Sequence, residues 1–343
     1  MIQNEEILLE VKNLKTYYKI STGIIKAIDN VSFQLNRGET LGLIGESGCG
    51  KTTLIKTILR ILPSNGLIAG GIINYKGNNI LKMDSKRINK LRWEEISLIP
   101  QSAMNSLDPV YKLGDQIVET ILAHESISKK EAYKRSEKVF EIVGLGKNRL
   151  KDYPHQYSGG MKQRAVIAMS LVLNPEIIIA DEPTTALDVV VQAQILSKIN
   201  NILENYKGSL IMATHDISVI AQTCIKIAVI YGGKIVEFGK AQRILKKPYH
   251  PYMMAMKNAF PSVIGKKKKL ISISGNPPSL LNPSEGCRFA PRCPFSFKKC
   301  LSVSPNIYKT SDGYVTCHRF DEVDKLQYYA EKEETWIQGK VRI

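Results

Sequence analysis

Two short stretches carry residues whose types and spacing could do chemistry on a phosphate. The first is GESGCGKTT, residues 45–53, which fits G-x-x-x-x-G-K-[ST]. Gly45, Gly48 and Gly50 let the backbone curl so that its N–H groups surround phosphate oxygens, and a helix opening there adds its positive end. Lys51 has the reach for the β- and γ-phosphates of a nucleotide, and the hydroxyl of Thr52 stands where it could ligate Mg²⁺. Cys49 occupies a variable position of the loop. A glycine-rich turn that happened to carry a lysine would not come with an apolar strand, TLGLIG, before it and a helical run, LIKTILRIL, after it. The second stretch is IIIADEP, residues 177–183. Asp181 at a strand end can hold Mg²⁺, directly or through water, and Glu182 can polarise an attacking water. Either acid alone could cap a helix, since Pro183 follows. Beside a phosphate loop the pair reads as catalytic.

A third stretch asks for a different chemistry. GCRFAPRCPFSFKKC, residues 286–300, holds three of the six cysteines, and Cys317 follows. The spacing is C-x5-C-x6-C-x16-C. Disulfides, a metal site and four unligated thiols would all leave these letters. Zinc usually takes tight C-x2–4-C pairs, which are missing, whereas four thiolates from a loop-rich segment suit a [4Fe–4S] cluster. Arg288, Arg292, Lys298, Lys299 and Arg319 could offset the charge of a thiolate-bound cluster. Cys224 sits in an apolar stretch and is expected to pack. His124, His155, His250 and His318 have no chemical company and read as structural or surface residues.

The elements that must position these groups follow from the pattern of the chain. Residues 1–85 read as short strands, with a turn at Asn36-Arg37-Gly38 and a hairpin in GGIINYKGNNI. From about 86 to 170 the pattern is helical. EIIIAD and SLIMATHD are buried strands with a helix, VVVQAQILSKINNILENY, between them, the alternation of a parallel α/β sheet. IAVIYGGKIVEFG is a hairpin turned at Gly232-Gly233. After about residue 245 proline and lysine increase and periodicity fades, so a separate C-terminal appendix is expected, holding the cysteines. With 43% hydrophobic residues in 343, a large core is available. No apolar run approaches the roughly 20 residues of a membrane span, and MIQNEEILLEVK is no signal peptide. The expected compartment is therefore the cytosol, where structural disulfides are disfavoured. The net charge of +16 and the run KKKK at 266–269 suggest an anionic partner or a solvated lysine-rich surface. No zinc-finger or RNP motif supports nucleic acid.

Three further motifs complete a pattern. YSGGMKQR at 157–164 precedes a helical run, and TALD at 185–188 and THD at 214–216 follow the acidic strand. In this order the chain resembles, over residues 5–245, the ATPase subunit of ATP-binding-cassette transporters. The resemblance implies a P-loop ATPase core: a mixed sheet with flanking helices, an N-terminal antiparallel β subdomain and a helical subdomain at about 86–170. It implies that ATP is bound by Gly45, Glu46, Ser47, Gly48, Cys49, Gly50, Lys51, Thr52 and Thr53, and that Tyr18, or its neighbour Tyr17, stacks on adenine. Thr52, Asp181 and Gln101 are implied around Mg²⁺, with Gln101, Glu182 and His215 as the catalytic group. Ser158, Gly159, Gly160 and Gln163 resemble the signature that contacts ATP held by the opposite subunit, and Asp188 the acid of the dimer interface. The signature departs from its commonest form at Tyr157, where leucine is usual.

Beyond the core, KKPYHPYMMAMKNAFP at 246–261 and SGNPPSLLNPSEGCRFAPRCPFSFKKC resemble the tail of oligopeptide and dipeptide permease ATPases, a subfamily that also serves nickel. The resemblance implies a [4Fe–4S] cluster on Cys287, Cys293, Cys300 and Cys317, in a small loop-rich domain within 246–343 and at about 285–320, with Zn²⁺ as the alternative metal. It further implies a motor on the cytoplasmic face of the membrane, docked on two permease subunits, paired with a sister ATPase or a second copy, and served indirectly by a solute-binding protein. A nickel or metal-chelate importer is the alternative cargo. A soluble ATPase acting on DNA or ribosomes would carry coiled-coil insertions or two cassettes, and neither is present.

Overall fold

The computed structural model describes residues 6–101, 105–183, 192–193, 195–197, 201, 208–259 and 273–337. They fall into two compact units, one within Met1–Leu8, Leu35–Thr40 and Lys82–Ala213, the other within Leu9–Gln34, Leu41–Leu81 and Thr214–Ile343.

The first unit combines a parallel sheet with a helical layer. Strands β6 (Ile96–Ile99), β7 (Ile177–Asp181) and β8 (Ser209–Thr214) are parallel neighbours in the order β8-β7-β6. Every residue of β7 and β8 is buried, which is why both read as continuous apolar runs. Helices α2 (Ser85–Glu94), α3 (Leu113–His124), α4 (Lys129–Ile142) and α5 (Gly159–Leu171) accompany them. The starts of α2 and α4 are set by short polar residues: Asp84 accepts from the Arg87 N–H at 2.7 Å, and Ser128 accepts from the Glu131 N–H at 3.2 Å. The interval 86–170 was expected to be helical throughout, but β6 lies inside it. Its four residues are too few for a period to register, and its β character comes from pairing with β7.

The second unit contains two sheets. Strands β1 (Ile7–Ile20), β2 (Gly23–Asn36), β4 (Gly66–Tyr75) and β5 (Asn78–Asn79) form an antiparallel sheet in the order β2-β1-β4-β5. The other runs β11 (Tyr308–Lys309), β12 (Tyr314–Val315), β10 (Lys234–Lys240), β9 (Lys226–Tyr231) and β3 (Thr40–Ile44). The β9–β10 turn has positive φ at both Gly232 (55°) and Gly233 (79°), the mirror-image geometry that matches strand twist. Residues after 245 do not stand apart as a domain of their own. Glu237 of β10 pairs with Val315 of β12, and the helix Pro251–Ala259 buries Tyr252, Met253 and Met254. Most of the expected helix at 189–206, the expected interface acid Asp188 and the lysine run 266–269 lie outside the described residues.

Candidate nucleotide site and cysteine pocket

In the second unit, β3 delivers the chain into the glycine loop and α1 (Lys51–Ile58) leaves it. Gly48 (φ 76°) and Gly50 (φ 113°) adopt left-handed backbone, and a Cβ on Gly50 would come within 2.5 Å of the Ala27 carbonyl. The loop is braced from outside, since the Gly233 N–H donates to the Cys49 carbonyl at 2.9 Å. Lys51 is buried, and its ammonium donates to the carbonyls of Gly45 (2.7 Å) and Glu46 (3.2 Å). Ser47 and Gly48 are exposed at the tip, and Thr52 and Thr53 are half-buried behind them. Cys49 is buried, and burial raises its thiol pKa. Strand alternation sends Tyr17 and Tyr18 to opposite faces. The Tyr18 hydroxyl donates to Thr53 Oγ1 (3.2 Å) at the start of α1, whereas Tyr17 donates to Asp29 (3.2 Å). His215 follows β8 and is exposed, and the next residue, Asp216, caps the helix Ile217–Thr223 by accepting from the Ser218 N–H at 2.7 Å.

In the first unit the register of the parallel strands brings the polar candidates together. Ile99 of β6 lies opposite Ala180 of β7, so the residues two further on, Gln101 and Glu182, meet. Gln101 Nε2 donates to Glu182 Oε2 at 3.1 Å. Asp181, the last residue of β7, is 4% exposed. Glu182 has φ 47°, a left-handed conformation unusual for glutamate, and its N–H donates to the Ala213 carbonyl at 2.8 Å. Ser158 is the exposed N-cap of α5, accepting from the Met161 N–H at 3.4 Å, with Gly159 and Gly160 in the first turn. Gln163 is turned inward: it is buried, and its Nε2 donates to the Pro183 carbonyl at 2.6 Å, holding the chain just after Glu182. Tyr157 is also buried, and its hydroxyl donates to the Arg149 carbonyl at 2.6 Å.

The four tail cysteines, 287, 293, 300 and 317, line one small apolar cavity together with His250, Phe289 and Phe295. All six cysteines are free thiols. Burial raises the thiol pKa values of Cys287 and Cys293, and lifts that of Cys317 to about 12. Among the described residues, no three His, Cys, Asp or Glu side chains converge as ligands of a single ion. His250 is fully buried, and burial alone lowers its pKa to about 3; its Nδ1 accepts from the Tyr252 N–H. Cys224 is packed as expected.

The basic residues of this segment do something the sequence reading missed. Arg288 is buried and donates to Asp29 Oδ2 (2.6 Å) and to the Gly232 carbonyl. Arg292 forms a two-pronged pair with Glu46 of the glycine loop, at 2.7 and 3.0 Å. Arg319 pairs with Glu322 (2.7 Å) and covers the Phe297 ring. Arg288 and Arg292 are thus committed to partners away from the cysteines, whereas Arg319 also lines the cysteine cavity, where its charge favours the Cys317 thiolate. For Arg288 and Arg292 the position beside a cysteine was the available signal, but their partners, 259 and 246 positions away, are too distant in sequence to be read.

Residues 28–185 match the family described as ABC transporter, and residues 236–300 match the one described as oligopeptide/dipeptide transporter, C-terminal region. The oligopeptide transport ATP-binding protein OppD of Escherichia coli is 41% identical over 305 residues, 88% of this chain and 90% of that protein. The dipeptide transport ATP-binding protein DppD of Lactococcus lactis is 43% identical over 310 residues, 90% of this chain and 89% of that protein. Among solved structures, the dimeric post-hydrolysis state of the ATP-binding cassette MJ0796 bound to ADP and Pi matches with a TM-score of 0.62 at 27% identity, over 68% of this chain and 99% of that one.

Proposed function

This chain belongs to the ATP-binding subunits of the oligopeptide and dipeptide ABC transporters, and from that premise we propose that it hydrolyses ATP to drive peptide uptake through separate membrane permeases. The observation that carries the reading is the glycine loop itself, closed by left-handed glycines around the Lys51 ammonium. That ammonium now rests on two neutral carbonyls; the β- and γ-phosphates are stronger, charged acceptors and would draw it outward. Thr52 and Asp181 are the residues to hold Mg²⁺, a hard cation that prefers oxygen ligands. Glu182 is the base for the attacking water and Gln101 its orienting partner, a role supported by their mutual hydrogen bond. His215 is assigned to the γ-phosphate and Tyr18 to the adenine ring, because the Tyr18 hydroxyl reaches α1. Ser158 and the first-turn N–H groups of α5 form an exposed anion-binding end for the nucleotide of a second ATPase subunit.

No described helix is long and apolar enough to cross a membrane. Docking on two permease subunits at the cytoplasmic face, fed by a solute-binding protein, fits a motor of this family. A sister ATPase is the proposed dimer partner.

For the tail we propose a [4Fe–4S] cluster on Cys287, Cys293, Cys300 and Cys317. The reading is supported by the lining of one small apolar cavity, which gathers all four thiols together with His250 and His318. Among the described residues no three ligand side chains are already gathered for a metal ion, so the preference for the cluster over Zn²⁺ rests on the wide spacing of the four cysteines. When bound, the cluster supplies four iron–thiolate bonds that cross-link a loop-rich segment and reverse the burial penalty on the thiolates.

The decisive experiment on the ATPase reading is Glu182→Gln. Steady-state phosphate release should fall by about 10²–10⁴, the usual cost of removing a positioned base. MgATP binding should persist, because Lys51 and the glycine loop are untouched. Near-normal turnover would remove Glu182 from the catalytic role.

A further inference from the structure

Glu46 is a carboxylate inside a loop built to receive a polyanion. It follows Gly45, and its carbonyl is one of the two that hold Lys51. Left alone, its charge would oppose the triphosphate that Lys51 attracts, at a range where a partly buried site screens poorly. Arg292 answers that charge from the cysteine segment, 246 positions along the chain. Its side chain is 7% exposed against 26% for Glu46. All five of its N–H donors have acceptors. Nη1 meets Glu46 Oε2 (2.7 Å) and the Tyr231 hydroxyl (3.3 Å), Nη2 meets Glu46 Oε1 (3.0 Å) and the Ile273 carbonyl (3.4 Å), and Nε meets the Ser274 carbonyl (2.9 Å). The fork is fixed from below by an aromatic cluster, with Tyr231 4.5 Å from Tyr252 and 5.1 Å from Phe289 between ring centroids. Tyr252 also reaches the loop, accepting from the Glu46 N–H at 2.9 Å.

We infer that Arg292 is a positioning residue of the nucleotide site: it neutralises Glu46 and fixes the mouth of the phosphate loop, so that affinity for nucleoside triphosphate depends on the cysteine segment that holds the arginine. The inference rests on reading the loop as the ATP site. Because the effect is electrostatic, it grows with the charge of the ligand. It is larger for MgATP than for MgADP and shrinks with added salt.

The test is equilibrium binding of MgATP and MgADP to the full chain at low and high salt. Arg292→Met should weaken MgATP about tenfold and MgADP less, and the double variant Arg292→Met/Glu46→Gln should recover to within about threefold of wild type. A purely architectural role for Arg292 would not be repaired by removing the carboxylate, so a double variant as weak as the single one overturns the inference, as does an unchanged Kd in Arg292→Met. If Arg292→Met does not fold, Arg292→Lys serves instead: it loses the two-pronged geometry but keeps the charge that answers Glu46, and should bind MgATP within about threefold of wild type. A tenfold loss there that Glu46→Gln fails to repair overturns the inference equally. The wild type tests the underlying reading separately, because a wild type that binds neither nucleotide removes the ATP site itself.

Discussion

At the scale of single residues, local spacing and distant pairing have different legibility. The glycines, Lys51 and Thr52 were readable because the phosphate loop is one continuous piece of backbone whose chemistry dictates its own spacing. Tyr17 and Tyr18 could not be told apart by sequence, since both are tyrosines on one strand. Their hydroxyls separate them: Tyr18 turns to Thr53, while Tyr17 is tied to Asp29, which Arg288 also grips, and burial raises the Tyr17 hydroxyl pKa. Loss of a base-stacking ring costs about 1–3 kcal/mol. Tyr18→Ala should therefore raise the Kd for MgATP about tenfold or more while leaving binding of magnesium tripolyphosphate, which has no base, near its wild-type value. Tyr17→Ala should lower the melting temperature instead. Equal loss of both ligands in Tyr18→Ala would deny Tyr18 the adenine contact. Glu182 adds a second kind of information that no sequence pattern carries, its left-handed backbone. Such strain persists where surrounding contacts over-determine it, and here the Ala213 carbonyl and the Gln163 grip on Pro183 do so.

At the scale of elements, long buried strands and capped helices announced themselves and short pieces did not. β7 and β8 are continuous apolar runs ending in polar residues, so both the strands and their polar ends were legible. β6 is four residues inside a helical stretch, and only its pairing with β7 identifies it. Without β6 the sequence offers no reason for Gln101 to reach Glu182; with it, the register alone brings them opposite. Helix α5 was legible at its start, because serine and two glycines ahead of an apolar run make an N-terminus. Its exposed cap sharpens the prediction for the signature. Ser158→Arg should cost about 1 kcal/mol in the lost cap and leave MgATP binding by the isolated chain intact. It should abolish ATP-dependent association of the two ATPase subunits, measured by light scattering or sedimentation, because a bulky cation fills the anion site. A monomer that can no longer bind ATP would place Ser158 in its own subunit's nucleotide pocket and overturn the assignment.

At the scale of the whole molecule, composition suggested a break near residue 245 that the contacts do not respect. Proline, lysine and fading periodicity describe a segment poor in regular structure, and the segment is so. But irregular chain still packs: β12 extends the sheet from β10, Tyr252 lies under the glycine loop, and Arg288 and Arg292 reach Asp29 and Glu46. A tail attached as an independent domain would let the cysteines be lost without consequence for nucleotide binding. The observed contacts make the opposite prediction. Protein purified without oxygen should be brown, with broad absorption near about 400 nm and roughly four iron atoms per chain, as a [4Fe–4S] cluster requires. Cys293→Ser should lose that colour and expose residues 285–320 to faster proteolysis. Because Cys293 is adjacent to Arg292, it should also weaken MgATP binding in the same direction as Arg292→Met. Loss of colour with unchanged MgATP affinity would restore the tail as an independent appendix. A colourless anaerobic protein with stoichiometric zinc would replace the cluster by a tetrathiolate ion, and unchanged iron in Cys293→Ser would strike that residue from the ligands.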